Sequence, residues 1–580
     1  MQLLKIKIHN FRSILDADFD LEKYSLLVGE NNAGKTNIIT ALRIFYEDDI
    51  KFNATNDFPK CSTKDNESWI ELGFLTTNDE QESLKDEYKT NDKILKVRKY
   101  LKSDNADLVK SGTSNIFAYE SGILSTNQFY GAKNISQAKL GKLLFIPDIS
   151  KTDDNLKMSG PSPLRDMINF VMQKVIGNSS SFSDLQLSFK TFNDKFKEES
   201  SKDGFSLNEL ANDINNNFIE WDIKFGLDIN TITTDNIVKN LISHYVEDNQ
   251  LNGQRVPISS FGQGLQRHLI YTLIRVGAKY MDKKQEKKKE FSPDLTIILF
   301  EEPEAFLHPA QQELLNVNLK KWSEDIDQQI LCSTHSSIFV SKNIESLPSL
   351  LKVIRDKGKT EIYQIKKEVL NDLFTENNSM FKMFSDIIAD PAVPQDIINK
   401  IKDKGLGSTE TKDDLKLEEE SLKYFLWLDG ERSASFFAKH VFICEGATEK
   451  IFLDHLLNTK WDDLKAKHIY FLDAMGKYNI HRYMNLFGKL GIHHSIIFDK
   501  DLDKDIHNFI NKFIENNKNG FTKHIYSFDK DIENFIGIIT PPTRKDLKPL
   551  NIMCQYNKGI IGDDKISALE KIIKDLLINI

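Results

Sequence analysis

Alternating polar and apolar positions characterise the first part of the chain. The alternation at 5–8 predicts a strand, and Asn10 and Phe11 predict a turn after it. A continuous apolar run at 24–28 predicts a buried strand, and the apolar positions at 38–45 have helical spacing. Further strand-like segments occur at 17–21, 69–75, 94–100 and 143–147. These patterns predict a β-rich lobe with one helix after its third strand.

The pattern changes to helical periodicity in the middle of the chain. After the breaker SGPSP at 159–163, one set of apolar positions falls on a single helical face, and a second set follows a Ser-rich stretch. The two sets are Leu164, Met167, Ile168, Val171 and Val175, and Leu210, Ile214, Phe218 and Trp221. They predict a helical insertion, which either packs on its own domain or forms a dimerisation element. The alternation at 223–229 predicts a return to sheet.

Four later apolar runs each end in residues capable of chemistry. The runs and the residues that follow them are 296–300 with Glu301 and Glu302, 329–332 with His335, 441–444 with Glu445, and 495–498 with Asp499 and Asp501. Because parallel strands bring their carboxyl ends to one edge of a sheet, these side chains are expected at ligand-binding edges. His308 and Pro309 are predicted to open a helix between the first two runs.

Composition adds limits to this picture. A chain of 580 residues with 40% hydrophobic and 28% charged residues is expected to form about three or four globular domains. The net charge of -9 argues against a globally basic nucleic-acid coat but leaves local basic grooves open. No apolar run approaches a bilayer span, and the N-terminus lacks a signal-peptide core, so a cytoplasmic protein without membrane association is expected. Four scattered cysteines support neither a zinc site nor a disulfide framework and are expected to be reduced and mostly packed.

The stretch GENNAGKT at 29–36 lies between the buried strand and the first helix. Such a loop turns its N–H groups toward phosphate oxygens, its lysine reaches the terminal phosphates, and its threonine hydroxyl ligates Mg²⁺. The predicted nucleotide-binding residues are Gly29, Asn32, Gly34, Lys35 and Thr36. Downstream, Glu301 is expected to hold Mg²⁺ through water, Glu302 to orient or deprotonate the attacking water, and His335 to hydrogen-bond the γ-phosphate.

A second Gly-rich stretch, SSFGQGLQR at 259–267, precedes the apolar helical segment 265–276. A helix N-terminus of this kind attracts anions, and Ser260 is predicted to cap it and contact a phosphate. The candidate residues are Ser260, Gly262, Gln263 and Gly264. The lysine-rich 283–289 is interpreted as a solvated loop, with a DNA contact as the alternative.

The opening IKIHNFRSI together with GENNAGKT resembles the N-terminal lobe of the ABC-type ATPases of the RecF, SMC and OLD (overcoming lysogenization defect) group. A simple surface turn is the alternative interpretation of Asn10, Phe11 and Arg12. The GQGLQR stretch is similar to the OLD form of the signature loop, which implies contact with the γ-phosphate bound by another subunit. Most ABC enzymes begin the acidic pair with Asp, so Glu301 followed by Glu302 implies slow hydrolysis and nucleotide as a sensor ligand.

The C-terminal pattern of strand, Glu445, Gly446, helix, and then a strand with DxD resembles a Toprim domain. Clustered carboxylates select Mg²⁺ or Mn²⁺, and two such ions could activate water and stabilise a leaving 3′ oxygen. The resemblance implies catalytic or metal-binding roles for Glu445, Glu449, Asp499, Asp501, Asp531 and Glu533, and places Lys548 near the phosphate. Gly476 resembles the glycine turn after the second Toprim strand, and Lys477 beside it is interpreted as a surface charge. Asp529 remains an alternative for the acidic residues at 531 and 533, and Arg544 and Lys545 remain alternatives for the cation at Lys548.

These features together resemble the OLD family over almost the whole chain, and most closely its class that includes the Gabija nuclease subunit. The expected α/β architecture is an ABC-type ATPase domain with a helical insertion, followed by a Toprim domain. The predicted segments are an ATPase N-terminal part at 1–150, the insertion at 151–225, an ATPase C-terminal part at 226–370, linker helices at 371–435 and the Toprim domain at 436–580.

The resemblance implies a nucleotide-regulated, Mg²⁺- or Mn²⁺-dependent DNA endonuclease of antiphage defence. It would form a homodimer or homotetramer, with ATP as cofactor and a separate UvrD-like helicase as a further partner. One alternative is a RecF- or SMC-like repair ATPase whose C-terminal acids bind only a structural cation. Another is a topoisomerase or primase, for which Tyr478 or Tyr483 would need to be a nucleophile without supporting sequence context.

Overall fold

The structure is a computed structural model that describes most of the chain. The described residues are 1–48, 50–147, 163–176, 179–218, 223–227, 233–280, 291, 293–324, 327–341, 344–406, 430–501, 505–540 and 544–578. The chain divides into two compact units, one formed by 1–148 with 288–580 and the other by 149–287. The domain boundaries expected from the sequence remain predictions.

The strands and helices are numbered in chain order. The strands are β1 Gln2–Phe11, β2 Ile14–Asp20, β3 Tyr24–Val28, β4 Ser68–Leu75, β5 Ile94–Lys102, β6 Ile116–Glu120, β7 Ile123–Gln128, β8 Lys142–Ile146, β9 Val246–Asp248, β10 Gln254–Val256, β11 Thr296–Glu301, β12 Gln328–Thr334, β13 Leu350–Asp356, β14 Lys359–Tyr363, β15 His440–Cys444, β16 Ile469–Asp473, β17 His494–Asp499 and β18 Thr522–Phe528. The helices are α1 Lys35–Phe45, α2 Ala54–Asp57, α3 Asn78–Ser83, α4 Ile135–Ala138, α5 Pro163–Ile176, α6 Ser180–Glu198, α7 Leu207–Asn216, α8 Thr234–Asn240, α9 Gln263–Tyr280, α10 Pro309–Ser323, α11 Ser337–Ser341, α12 Leu370–Ala389, α13 Gln395–Asp403, α14 Gly430–Ser433, α15 Ala447–Thr459, α16 Asp462–Lys465, α17 Ile480–Lys489, α18 Asp505–Asn516, α19 Ile532–Ile536, α20 Lys548–Asn557 and α21 Asp563–Asp575.

Two six-stranded sheets enclose the phosphate-loop helix. The first is antiparallel with the order β2-β1-β4-β5-β6-β7, and the second has the order β14-β13-β3-β12-β11-β8. The second sheet is parallel except for β14, which pairs antiparallel with β13. Ile38, Leu42 and Phe45 of α1 share one apolar core with Leu3 and Phe74 of the first sheet. This burial fixes α1, and therefore the loop that precedes it, between the two sheets.

The C-terminal part forms a four-stranded parallel sheet with the order β16-β15-β17-β18. Phe442 of β15, Phe452 of α15 and Leu569 of α21 belong to its apolar core. On another side, α17 packs on α12, and the His481 imidazole donates a hydrogen bond of 2.7 Å to the carbonyl of Asn377. Helix α12, which precedes the sheet in the chain, therefore contacts helix α17 of the C-terminal part directly.

The second unit is mostly helical. Helix α5 packs on α8 and α9, and β9 pairs antiparallel with β10. Apolar side chains of α6, including Leu187 and Phe192, are exposed. Both interpretations of this unit, internal packing and dimerisation, stay open predictions.

Three local predictions are wrong. Strand β1 continues through Asn10 and Phe11, and Phe11 is fully buried in the core, so these residues do not form a surface turn. The described residues 223–227 are not in a strand. The main chain of Phe225 instead hydrogen-bonds the Asn215 side chain through both its N–H and its carbonyl, which takes the place of strand pairing.

The third concerns the helix after the signature stretch. Helix α9 begins at Gln263, and Ser260 lies in the 3₁₀ turn Ile258–Ser260. Ser260 is therefore not at the capping position, because Gly262 directly precedes the helix. The expected His308 and Pro309 helix start is confirmed: α10 begins at Pro309, and His308 caps it.

Other predicted segments are observed only in part or lie outside the described residues. Segment 143–147 contributes to β8, but β8 is an edge strand, and only Ile146 is buried. Helix α7 ends before Phe218. Trp221, the breaker 159–162 and the lysine-rich 283–289 lie outside the described residues.

All four cysteines are free, but only Cys332 and Cys444 are buried, so the expectation that most are packed is half correct. None of the helices within the described ranges has both the length and the apolar character needed to span a membrane.

Candidate functional site

The phosphate loop joins β3 to α1, as its flanking apolar patterns predicted. Gly34 has a φ of 111°, and a Cβ there would lie 2.3 Å from Thr360 Oγ1. A Cβ at Gly29 would lie 2.2 Å from the carbonyl oxygen of Val353. Asn32 also has a positive φ, of 64°. The loop is therefore braced by β13 and β14, and glycine is required at Gly34 both for conformation and for space.

Lys35 and Thr36 begin α1. The buried Lys35 Nζ donates hydrogen bonds of 2.8 Å to the carbonyls of Gly29 and Glu30. Burial lowers the pKa of Lys35 to about 8 against the opposing effect of nearby acids. The Thr36 hydroxyl donates a hydrogen bond of 2.6 Å to Glu301 Oε1 at the end of β11. The structure thus brings together the two residues that were predicted to hold Mg²⁺ at this site.

Glu302 and His335 follow neighbouring parallel strands and also meet. His335 Nε2 lies 3.2 Å from Glu302 Oε1, and Glu302 has a φ of 46°. The main-chain N–H of His335 donates a hydrogen bond of 2.6 Å to Glu304 Oε1. Burial, with a contribution from Lys35, lowers the pKa of His335 to about 4, so its imidazole is neutral at neutral pH.

Glu304 was missed by the sequence reasoning. Its side chain is buried, which raises the pKa of its carboxyl. Glu304 is the third acid in LFEEPEAF, and this was the only sequence signal for it. Its position in that stretch does not distinguish a buried carboxylate from an exposed one.

The signature residues belong to the second unit. Gly262 O accepts main-chain hydrogen bonds from Leu265 and Gln266 in the first turn of α9. Gln263 and Gly264 lie in the same first turn. A γ-phosphate contact by these residues and Ser260 remains a prediction.

The first acids of the C-terminal sheet converge on one edge. Glu445 follows β15, and Asp499 ends the adjacent β17. The main-chain N–H of Asp499 donates a hydrogen bond of 3.1 Å to Glu445 Oε2. Glu449 lies in the first turn of α15 and accepts a hydrogen bond of 3.1 Å from the N–H of Gly446. The short connection between β15 and α15 therefore places both glutamates near Asp499.

The later acids reach the same edge from β18. Asp531 caps α19 by accepting a hydrogen bond of 2.7 Å from the N–H of Asn534. The side chain of Glu533 is buried, and Lys548 Nζ lies 3.0 Å from its Oε1. The charges of Glu449, Glu445, Glu533 and Asp531 all act on Asp499, which indicates a single acidic cluster.

Asp529 and Arg544, which were alternative candidates for the later site residues, form exposed ion pairs outside the cluster. Asp529 pairs with Lys500 at 2.7 Å, and Arg544 pairs with Asp546 at 2.5 Å. The side chain of Lys545 lies outside the description. The observed contacts therefore favour Asp531, Glu533 and Lys548, whose roles remain predictions.

The cluster has the electrostatics of a cation site. Burial, reinforced by neighbouring carboxylates, raises the pKa values of Glu449 and Asp499, and burial raises that of Glu445. Among the described residues, Asp499 Oδ1 and Glu533 Oε2 are buried oxygens that have no hydrogen-bond partner. Hard oxygen donors with free lone pairs fit Mg²⁺ or Mn²⁺. Within the described part, no three His, Cys, Asp or Glu side chains are already arranged as a ligand set.

The interpretation of Lys477 as a surface charge is wrong. Lys477 is only 2% exposed, and it directly follows Gly476, which has a φ of 112°. Lys477 Nζ lies 3.7 Å from Glu445 Oε2 and 3.4 Å from Asp501 Oδ2. His507 was also missed, and its Nδ1 lies 3.2 Å from Asp501 Oδ2. The local sequence DAMGKYN carries no signal of this burial.

A phosphate loop on one mixed sheet and an acidic edge on a separate parallel sheet define a class: an ABC-type ATPase joined to a Toprim domain. The comparisons agree with it. A family described as "AAA ATPase domain" matches residues 1–340, and one described as "Overcoming lysogenization defect protein-like, TOPRIM domain" matches 436–501. The chain belongs to the family described as "AAA ATPase domain", and its C-terminal part carries an OLD-like Toprim domain. The expected resemblance and fold class are therefore confirmed.

Named relatives cover most of the chain. Endonuclease GajA of Bacillus cereus (strain HuB5-5) is 25% identical over 87% of this chain and 77% of its own length. Old nuclease of Escherichia phage P2 is 24% identical over 67% of each chain. A solved SMC head bound to the C-winged helix domain of ScpA has 12% identity and a TM-score of 0.36, over 63% of this chain and 98% of its own. The fold assignment follows from the strand topology and the family matches.

Proposed function

We propose that this protein is a nucleotide-regulated, divalent-metal-dependent DNA endonuclease. The observation that carries the proposal is the acidic cluster at the ends of β15, β17 and β18, with Glu533 paired to Lys548. Relatives named as nucleases support cleavage of a phosphodiester. The two domain types imply use of a nucleotide and of divalent metal.

The acidic cluster would bind the catalytic Mg²⁺ or Mn²⁺. Its proposed ligands are Glu445, Glu449, Asp499, Asp501, Asp531 and Glu533. The cations would polarise the scissile phosphate and lower the pKa of the attacking water. Lys548, already beside Glu533, would neutralise charge that develops on the phosphate. The buried position of Glu449 and Asp499 would limit solvent around the reacting group.

ATP would bind at the other site, where the phosphate loop and Lys35 hold its phosphates. The Thr36 hydroxyl and Glu301 would hold Mg²⁺, since they already lie 2.6 Å apart. Glu302 would orient water while the neutral His335 hydrogen-bonds the γ-phosphate. Ser260, Gly262, Gln263 and Gly264 would complete this site from a second protomer. A homodimer or homotetramer would then assemble with nucleotide.

The resemblance to the class that includes the Gabija nuclease subunit favours a role in antiphage defence, with DNA as substrate and a UvrD-like helicase as a further partner. Such a role would place the protein in the cytoplasm. These assignments follow from the OLD relationship and are part of the same proposal.

The test is cleavage of supercoiled and linear phage DNA by the purified full-length chain with Mg²⁺ or Mn²⁺, with and without ATP. The variants are Glu445→Gln and Asp501→Asn, and the matched control is Asp529→Asn, an exposed acid that pairs with Lys500 outside the cluster. We expect both cluster variants to lose cleavage and the control to keep it. The lanes with ATP give the sign of nucleotide control.

A different pattern would redirect the assignment. If the wild type hydrolyses ATP but cuts no DNA with either metal ion, the endonuclease proposal is lost and a repair ATPase is favoured. If Asp529→Asn abolishes cleavage as completely as Glu445→Gln, the reacting centre is not the cluster described above.

A further inference from the structure

A buried ammonium lies among the acids of the C-terminal cluster. Lys477 begins the short 3₁₀ turn after β16, and only 2% of it is exposed. Its Nζ donates a hydrogen bond to the main-chain carbonyl of Asp499, the last residue of β17. The same Nζ lies 3.7 Å from Glu445 Oε2 and 3.4 Å from Asp501 Oδ2.

These contacts join three parts of the site. Glu445 follows β15, whereas Asp499 ends β17 and Asp501 lies two residues after it. His507 of α18 adds a further contact, since its Nδ1 lies 3.3 Å from Lys477 Nζ. A buried ammonium is costly unless polar and charged groups surround it, so this arrangement ties the two strand ends to Lys477.

The positive charges divide the cluster unequally. Lys477 neutralises the side that contains Glu445 and Asp501, and Lys548 neutralises Glu533 on the other side. Asp499 Oδ1 is buried and has no hydrogen-bond partner among the described residues. Without a divalent cation, Lys477 and Lys548 therefore supply positive charge to these acids.

We propose that Lys477 is a positioning residue that acts as a built-in counter-cation. It holds Glu445 and Asp501 in place when no metal is bound, and it gives up both carboxylates to the divalent cation when the metal binds. The inference deepens the proposed function, because it concerns the same acidic cluster. It assigns no contact between Lys477 and DNA.

The charge carried by Lys477 and that carried by the metal should therefore substitute for each other in stabilising the fold. In a Lys477→Met variant without metal, Glu445 and Asp501 lose their buried cationic partner, so the melting temperature falls. Saturating Mg²⁺ or Mn²⁺ replaces the missing charge, so most of the loss is recovered. The metal-induced rise should exceed that of the wild type by about 3 °C or more.

The experiment compares thermal unfolding of the nucleotide-free, chelator-treated full-length chain before and after addition of Mg²⁺ or Mn²⁺. The matched control is Lys500→Met. Lys500 directly follows Asp499, but its ammonium pairs with the exposed Asp529 outside the cluster. The control should show the wild-type rise. Because every variant keeps the same ATPase site, metal binding there cancels in the comparison.

Equal metal-induced rises in the wild type and Lys477→Met overturn the inference. So does a variant that stays unfolded at saturating metal, because the metal would then not replace the lysine charge. The readout is independent of DNA cleavage. A failed cleavage assay with the expected thermal pattern removes the endonuclease proposal alone, whereas cleavage with equal thermal rises removes only the role of Lys477.

Discussion

Lys352 offers a quantitative test of the contact between the ATPase sheet and the start of the C-terminal sheet. It lies on β13, is only 2% exposed, and donates a hydrogen bond to the carbonyl of Phe436, four residues before β15. Burial lowers its pKa from 10.5 to about 8. This difference corresponds to about 3 kcal/mol of unfavourable free energy for the charged form in the fold.

The sign of the pH dependence follows from the lowered pKa. Between the two pKa values, the unfolded chain binds the lysine proton and the folded chain does not, so stability rises with pH. From about pH 7 to about pH 10, this group should add about 2 kcal/mol to the free energy of unfolding. Lys352→Met removes that increase. At neutral pH, loss of the buried charge offsets the loss of the hydrogen bond to Phe436, which costs about 1–3 kcal/mol.

The assay is urea unfolding of the full-length wild type and Lys352→Met across this pH range. The wild-type advantage over the variant should grow by about 2 kcal/mol toward high pH. Lys359→Met is the control, because Lys359 is an exposed lysine on the adjacent β14 and should show no such growth. A difference between wild type and Lys352→Met that stays constant with pH would refute the reasoning.

Two further predictions concern the proposed sites. Lys548→Met leaves the buried Glu533 without its partner and should lower the free energy of unfolding by about 3 kcal/mol. Adding Glu533→Gln should restore most of it in urea unfolding, and no recovery would contradict a direct pair. Gly34→Ala introduces a Cβ 2.3 Å from Thr360 Oγ1 at a φ of 111°. It should weaken binding of a fluorescent ATP analogue by about tenfold or more, and an unchanged dissociation constant would contradict the tight bracing of the loop.

Patterns confined to one strand and its end were predictable from the sequence. Apolar runs that end in Glu301, Glu445 and Asp499 form buried parallel strands, because continuous apolar character reflects burial on both faces of a sheet. The proximity of Glu445 and Asp499 follows from strand adjacency. The roles of these residues stay predictions.

Features set by distant partners were not predictable. Lys477 reads as an exposed charge beside a glycine, and only the adjacent strand ends make it buried. The alternation at 223–229 reads as a strand, but alternation does not supply a partner strand, and in the described part Asn215 satisfies the main chain of Phe225 instead. The turn expected at Asn10 and Phe11 is wrong because Phe11 packs into a core to which several strands contribute, including residues as distant as Leu351.

Strands β13 and β14 belong to the same sheet as the phosphate loop, so the ATPase part extends beyond residue 340, where the family match ends. They follow that limit in sequence, yet β13 pairs with β3, and Val353 and Thr360 form the wall behind Gly29 and Gly34. A chain cut at residue 340 would expose one side of its phosphate loop to water and turn β3 into an edge strand that pairs only with β12. The smallest self-sufficient nucleotide-binding fragment therefore extends at least through Tyr363.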